Sequence, residues 1–348
     1  MLLDTVKTLC ALTGPSSFEG PVREYLRRRA EAAGAETRTD GMGNLICVKK
    51  GAEAAPGTLM LCAHMDEVGL MVKRITDEGY LKFGCLGGID RRVLIGKPVF
   101  VGEGRVPGVI GLKAIHLTSA EERKKIPKLE ELCIDIGARD GADARRLTHL
   151  GDFAVFSDTM AEFGQGMLKA KAIDDRIGCA VMIELLEEEL PMDVTFAFTV
   201  QEEVGTRGAF GAAFSVTPEL ALILEGTTAA DSPTTDAHRR VCRPGMGPVI
   251  PYMDGGTLYD RGLFELLRGL AEENGIPWQT KEYLSGGTDA KAVQRTKTGV
   301  RVGAVSAAVR YLHSPSSVAA IQDFDQIEAL TRLFIRAVAD GRISHGTV

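Results

Sequence analysis

The chain has 348 residues, 45% of them hydrophobic, and a formal net charge of −6. That is enough apolar material for a large core and for more than one domain. No Lys/Arg-dense stripe marks a nucleic-acid surface, and no apolar run approaches the roughly 18 residues that span a bilayer. The seven scattered cysteines form no CxxC pair, which points to a reducing, cytoplasmic setting and away from a thiolate metal site.

The N-terminal stretch MLLDTVKTLCALTGPSSFEG has no basic leader, and Asp4, Thr5 and Lys7 interrupt its apolar residues, so it does not read as a signal peptide. Spacing predicts helices over 2–13 and 20–34 around the turn GPSSFEG, then a hairpin over 36–51 with a Gly-rich turn. GTLMLCAHMDEVGLMV (57–72) opens as a continuous apolar strand, as expected for a strand covered on both faces. From about Gly69 the texture changes to short Val/Ile/Phe-rich runs punctuated by glycine every roughly eight to twelve residues, the spacing of a small barrel or sandwich. A strand, a short helix and another strand follow in IPKLEELCIDIGARDGADARRLTHLGDFAVF.

After about Gln165 the α/β pattern returns. It predicts a helix over 174–190, strands over 194–200 and 219–225, and a helix over about 260–274. Strands near 277–284 and 301–306 and an amphipathic helix over 323–341 complete the series. The simplest parse is one discontinuous α/β domain, 1–67 and 165–348, with a small all-β domain of 68–164 inserted into it. A linear two-domain chain would leave the first 67 residues as an orphan fragment.

The strand VTFAFTV runs into QEE. Neighbouring residues on a strand face opposite sides, so a strand continuing through Glu202 and Glu203 would aim one carboxylate into the core. An unpaired carboxylate is costly there. Either the strand stops and both groups reach one pocket, or one of them has a strong partner such as a metal.

Other histidines and carboxylates sit in comparable places. His64 and Asp66 follow the strand TLMLCA, two apart and so on one side. Asp174 and Asp175 open the helix DDRIGCAVMIELL, one more aspartate than an N-cap needs. Glu225 ends LALILE, and His313 lies just past a predicted strand in RYLHSPSS. All lie at or near strand ends of the α/β portion, where open α/β sheets place their sites. His116, His149, His238 and His345 have no such setting and read as surface or structural.

Imidazole plus carboxylate without thiolate suits zinc, cobalt or manganese. Two histidines and three or four carboxylates exceed the needs of one four-coordinate ion. They suit two ions about 3.5–4 Å apart bridged by one carboxylate, with a further carboxylate left to carry a proton.

The motifs AHMDEVG, KAIDDRIG, QEEVGTRGA, SGGTDA and RYLHSP, in this order and spacing, resemble those of the tetrahedral (TET) aminopeptidases, a family that includes glutamyl aminopeptidases and proteins labelled "cellulase M". The resemblance extends over nearly the whole chain, including GGID, GVIG and IDIGA. It implies an α/β, three-layer mixed-sheet metallopeptidase domain carrying an inserted, barrel-like β domain that serves oligomerisation and walls the pocket. It implies hydrolysis of the N-terminal residue of peptides with a free N-terminus, and two divalent ions, zinc or cobalt before manganese. It also implies self-association into a homo-oligomer, as large as a dodecamer. Nucleic acid and membrane are not expected partners.

Carried over residue by residue, the resemblance gives His64 and Glu225 to one ion and Glu203 and His313 to the other. Asp174 bridges them, followed by a cis peptide bond, with Asp175 as the alternative bridge. Glu202 is the general acid/base, and Asp66 accepts from His64 and orients it. The family usually has Asp where this chain has Glu225. The loop GGTDA (286–290) is expected beside the substrate, and Arg207 and Arg310 are either ion-pair partners or substrate contacts.

Two other functions compete. A glycosidase also uses paired carboxylates, but it has no need of histidine ligands, and one tryptophan with 6% aromatics offers little surface for sugar stacking. A non-catalytic metal-binding or assembly protein would show a broken set, whereas every position here holds a competent residue. The preferred N-terminal residue is not legible in the chain.

Overall fold

The apolar run ahead of His64 becomes the middle of a mixed sheet. The computed structural model describes residues 2–55, 57–157 and 160–343, so His345 lies outside the described residues. The first strands are β1 (Glu36–Thr39), β2 (Leu45–Lys49) and β3 (Leu59–His64). A second block follows: β4 (Gly69–Ile75), β5 (Leu81–Leu86), β6 (Pro98–Val101), β7 (Val106–Gly111), β8 (Cys133–Asp135) and β9 (Phe153–Phe156). The last are β10 (Ala161–Phe163), β11 (Met167–Ala170), β12 (Val194–Thr199), β13 (Leu220–Thr228), β14 (Arg301–Val309) and β15 (Ser317–Ala320).

The main sheet has the order β1-β2-β12-β3-β13-β14, and β4, β5, β8, β7, β6 and β9 close into a barrel. Within the main sheet β3 pairs in parallel with β12 and β13, and β13 with β14. Every residue of β3 and β12 is buried. Side chains alternate between two apolar layers. Leu59, Leu61, Phe196, Phe198, Leu222 and Leu224 meet the helices Leu2–Ala11, Gly20–Ala32, Ile173–Leu186 and Ile321–Ala339. Met60, Cys62, Ala197, Ala221 and Ile223 meet the small-residue faces of the helices Arg207–Val216 and Ala290–Gln294. The α/β, three-layer architecture and the closed all-β barrel follow from this alternation. The barrel has its own core, built on Leu70, Val72, Leu81, Val99, Val101 and Ile134. Among the described residues no helix is long and apolar enough to cross a membrane.

Several elements differ from expectation. The segment 277–284 is not a strand; Gln279 makes one isolated bridge to Val249. Val249 itself approaches the outer edge of β14 at Ser306, so that edge is already taken. The helix expected over 174–190 ends at Leu186, ahead of three glutamates and Pro191. The antiparallel sheet β10-β11-β15 and the helices Arg207–Val216 and Ala290–Gln294 were not expected. Strands of three or four residues are too short to show a period.

Candidate metal centre

Because β3, β12 and β13 are parallel, their carboxyl ends open on one edge of the sheet, and the side chains converge there. His64 is the last residue of β3. Its Nδ1 lies 3.0 Å from the Asp66 backbone carbonyl, to which a protonated Nδ1 donates, leaving Nε2 as the free ring nitrogen. The Asp66 carboxylate is 3.4 Å from the same Nδ1, so Asp66 orients the ring through its carbonyl more closely than through its side chain. His64 Nε2 faces Asp174 Oδ1 at 3.4 Å and Glu225 Oε1 at 3.2 Å.

The aspartate pair is split by its backbone. Asp174 and Asp175 have non-helical dihedral angles within the helix Ile173–Leu186, and the peptide bond between them is cis. The Asp174 carboxylate points into the cluster. Asp175 turns into the protein and accepts from the His64 amide (3.2 Å) and the Gly178 amide (2.9 Å). Gly226, next to Glu225, makes room for this: a Cβ there would lie 2.8 Å from Asp174 Cβ.

The doubled glutamate is resolved by one residue. Strand β12 stops at Thr199, and Gln201 takes a left-handed conformation (φ 57°). That costs a non-glycine residue roughly 1–2 kcal/mol, but it breaks the alternation, so neither glutamate is driven into the core. Glu203 Oε2 then lies 3.1 Å from His313 Nε2, and Asp174 Oδ2 lies 3.4 Å from that nitrogen. His313 is also left-handed (φ 57°), and its Nδ1 lies 3.1 Å from the carbonyl of Gly88, in the barrel loop between β5 and β6. The barrel therefore orients a histidine of the α/β unit, a contact that the sequence did not reveal.

The result is two triads sharing one carboxylate: His64, Asp174 and Glu225, and Asp174, Glu203 and His313. Ligands about 2.0–2.1 Å from a tetrahedral ion lie ~3.3 Å from one another. The four N···O separations here are 3.1, 3.2, 3.4 and 3.4 Å. Asp174 Oδ1 is buried and has no hydrogen-bond partner among the described residues. The donor set thus fits divalent cations in chemistry and in spacing. Glu202 belongs to neither triad.

Electrostatics agree. Burial raises Glu203 and Glu225 well above the usual carboxylate range, against the pull of His313 and His64 respectively. Burial disfavours a charged His64, yet Glu225, Asp174 and Asp66 raise it well above the usual imidazole value. His313, opposed by burial and favoured by Asp174 and Glu203, is pushed up to about 9. Burial also tends to raise Asp174, but His313 and His64 hold it below its usual value. Burial lifts Glu202 to about 8, with Asp289, Asp174 and Asp66 adding to the effect and His64 opposing it. Buried carboxylates outnumber their cationic partners here, and bound cations would compensate them.

Asp289 of GGTDA is buried close enough to Glu202 to act on its carboxyl; its Oδ2 accepts from Thr199 Oγ1 at 2.5 Å, and its Oδ1 has no hydrogen-bond partner among the described residues. Arg310 is an ion-pair partner, bidentate to Asp231 at 2.8 and 2.6 Å. Arg207 is exposed, as are His116, His149 and His238. Sequence reading missed the buried ion cluster under the centre. Lys171 Nζ donates to both oxygens of Glu67 (2.6 and 2.8 Å), and Arg176 reaches Glu67 at 3.4 Å and the carbonyl of Leu9 at 2.5 Å. Both Lys171 and Glu67 stand inside the motifs KAKAIDD and HMDEVG, which was the available signal.

A model of the M42 glutamyl aminopeptidase family matches residues 43–330. The chain is 30% identical to a glutamyl aminopeptidase of Lactococcus lactis subsp. cremoris (strain MG1363), over 99% of this chain and 98% of that protein. Among solved structures, aminopeptidase APDkam598 from the archaeon Desulfurococcus kamchatkensis superposes with a TM-score of 0.91 at 35% identity, covering 96% of this chain and 94% of that one. The TET1 peptidase of Pyrococcus horikoshii, which can assemble into a tetrahedron or a large octahedral shell, superposes with a TM-score of 0.85 at 34% identity, covering 96% and 99%.

Proposed function

Since the chain belongs to the M42 glutamyl aminopeptidase family, we propose that it removes the N-terminal residue of peptides with two divalent ions as cofactor and Glu202 as general acid/base. The observation that carries this is the pair of triads hinged on Asp174. His64 and Glu225 with Asp174 would hold one ion, and Glu203 and His313 with Asp174 the other, zinc or cobalt before manganese. When bound, such a pair polarises a scissile carbonyl and acidifies an attacking water.

The chain's own residues do the rest. The Glu202 carboxylate takes a proton from the water and returns it to the leaving amine. The free α-amino group of a substrate would bind beside this centre, which restricts the enzyme to chain ends. The Gly87–Gly88 loop of the barrel packs against Glu203 and His313. We take residues 1–67 and 165–348 as the catalytic unit and 68–164 as the inserted barrel that walls the pocket and serves assembly. Ile115 and Leu117, exposed on the barrel segment, support self-association into a homo-oligomer, up to the dodecamer that a tetrahedral shell of the P. horikoshii kind represents.

The test is a panel of aminoacyl anilides with native, chelated and re-supplied enzyme. Chelation is expected to abolish hydrolysis, and zinc, cobalt or manganese to restore it. Full activity after complete metal removal, or hydrolysis of cello-oligosaccharides instead of anilides, would overturn the reading.

Glu225, where the family usually has Asp, gives a sharper test. Its longer arm still delivers Oε1 to 3.2 Å from His64 Nε2. Glu225→Gln keeps that reach and removes the charge. It is expected to weaken one of the two ions by about 10-fold or more and leave the other unchanged. Two unchanged affinities by calorimetric titration would remove Glu225 from the ligand set.

A further inference from the structure

The turn GPSSFEG, between the first two helices, holds two polar side chains that the proposed chemistry does not use. Ser16 is 1% exposed and Glu19 is 4% exposed. Ser16 Oγ donates to Asp66 Oδ2 at 2.6 Å. Asp66 Oδ1 accepts from the Glu202 amide at 2.9 Å, and Asp66 Oδ2 from the Glu203 amide at 3.2 Å. Glu19 Oε1 accepts from the Gln201 amide at 3.2 Å and from the Ser17 amide at 2.8 Å. The consecutive amides of Gln201, Glu202 and Glu203 therefore all end on two buried carboxylates from distant parts of the chain. They do so where Gln201 departs from strand geometry with φ 57°.

A left-handed residue persists only where its surroundings over-determine it. Were these amides released, the chain after β12 would be free to relax toward extended geometry and turn Glu202 and Glu203 to opposite faces. The turn is itself braced by the barrel. The Phe18 ring lies 4.7 Å from that of Phe153, and Thr13 Oγ1 accepts from Arg105 at 2.8 Å.

Resting on the reading of Glu202 as the proton carrier, we infer that Glu19 and Ser16 are positioning residues. Glu19 clamps the Gln201 amide, and Ser16 fixes the Asp66 carboxylate that clamps the next two, which aims Glu202 at the substrate. Glu19 acts as an acceptor in this clamp, and its charge is not required. Glutamine offers the same carbonyl oxygen and alanine offers none.

The experiment compares metal-loaded Glu19→Ala, Glu19→Gln and Ser16→Ala with the parent enzyme. It reads kcat and KM on one aminoacyl anilide, ion content, and amide hydrogen exchange over residues 200–204. For Glu19→Ala and Ser16→Ala the expected result is a loss of about 10- to 100-fold in kcat, with KM little changed and exchange accelerated over 201–203. Glu19→Gln is expected to stay close to the parent in both readouts. A merely structural Glu19 would lower the melting temperature and leave kcat per bound ion pair unchanged, which would overturn the proposal. So would a Glu19→Gln enzyme as impaired as Glu19→Ala. Ser16→Ala, which removes a single oxygen, keeps the test open if Glu19→Ala does not fold. Exchange does not depend on the chemistry, so a failed clamp appears as unchanged exchange, whereas a failed assignment of Glu202 appears as an active Glu202→Gln enzyme.

Discussion

Glu202→Gln is expected to lower kcat by about 10²- to 10⁴-fold while both ions stay bound. The expectation rests on the division between the two neighbouring glutamates. Glu203 faces His313 at 3.1 Å inside a ligand triad, whereas Glu202 is in neither triad. Glutamine has nearly the same shape, and the backbone amide that reaches Asp66 Oδ1 is untouched, so the turn should hold. What disappears is an oxygen that can hold a proton and give it back. At about 1.4 kcal/mol per decade, the loss corresponds to about 3–5 kcal/mol of transition-state stabilisation. Steady-state kinetics on an aminoacyl anilide, with elemental analysis of the same preparation, decides the matter. Undiminished turnover would remove Glu202 from the chemistry, and loss of an ion would make it a ligand instead.

Much of the α/β unit was readable because its signals are long. The strand β3 declares itself by an apolar run that only a doubly covered strand tolerates, and its outcome is complete burial. The terminal helix and the helix after Asp175 carry enough turns for their period to show. The short antiparallel sheet and the missing strand at 277–284 mark the other limit. Their pairing is decided by which edges are free, and β14's edge is approached by Val249 from a loop.

The candidate site divides the same way. His64, Asp174, Glu203, Glu225 and His313 could be read because charged residues that interrupt or follow apolar runs need a reason to be there, although β13 continues three residues past Glu225. Asp66 was expected beside His64 as well, and differs only in that its backbone carbonyl lies closer to the ring than its carboxylate. The other supports could not be read: Gly88 orients His313 with a backbone carbonyl, and Glu19 holds a backbone amide. Contacts made by backbone atoms leave little trace in residue type, and these join segments brought together only by the sheet topology. Asp289 is a further case: residue type marks a polar group in a glycine-rich loop, but only the structure shows it buried with its Oδ2 accepting from Thr199.

Asp174→Asn is the substitution expected to dismantle the centre most completely. Asp174 is the one residue common to both triads, with Oδ1 toward His64 and Oδ2 toward His313. Asparagine retains one acceptor oxygen and no charge, so it cannot serve both sides. Ion stoichiometry should fall from two to at most one, with kcat down by more than about 100-fold. Stability provides an independent readout. An ion held at 100 times its Kd stabilises the folded state by about 2.7 kcal/mol, so most of the rise in Tm on adding metal should vanish in the variant. Asp175→Asn supplies the contrast. That carboxylate is already engaged by the amides of His64 and Gly178, so its loss should weaken the ion-free fold more than ion binding. If Asp175→Asn instead strips both ions while Asp174→Asn keeps them, the bridge belongs to the second aspartate, and the geometry of the pair has been read the wrong way round.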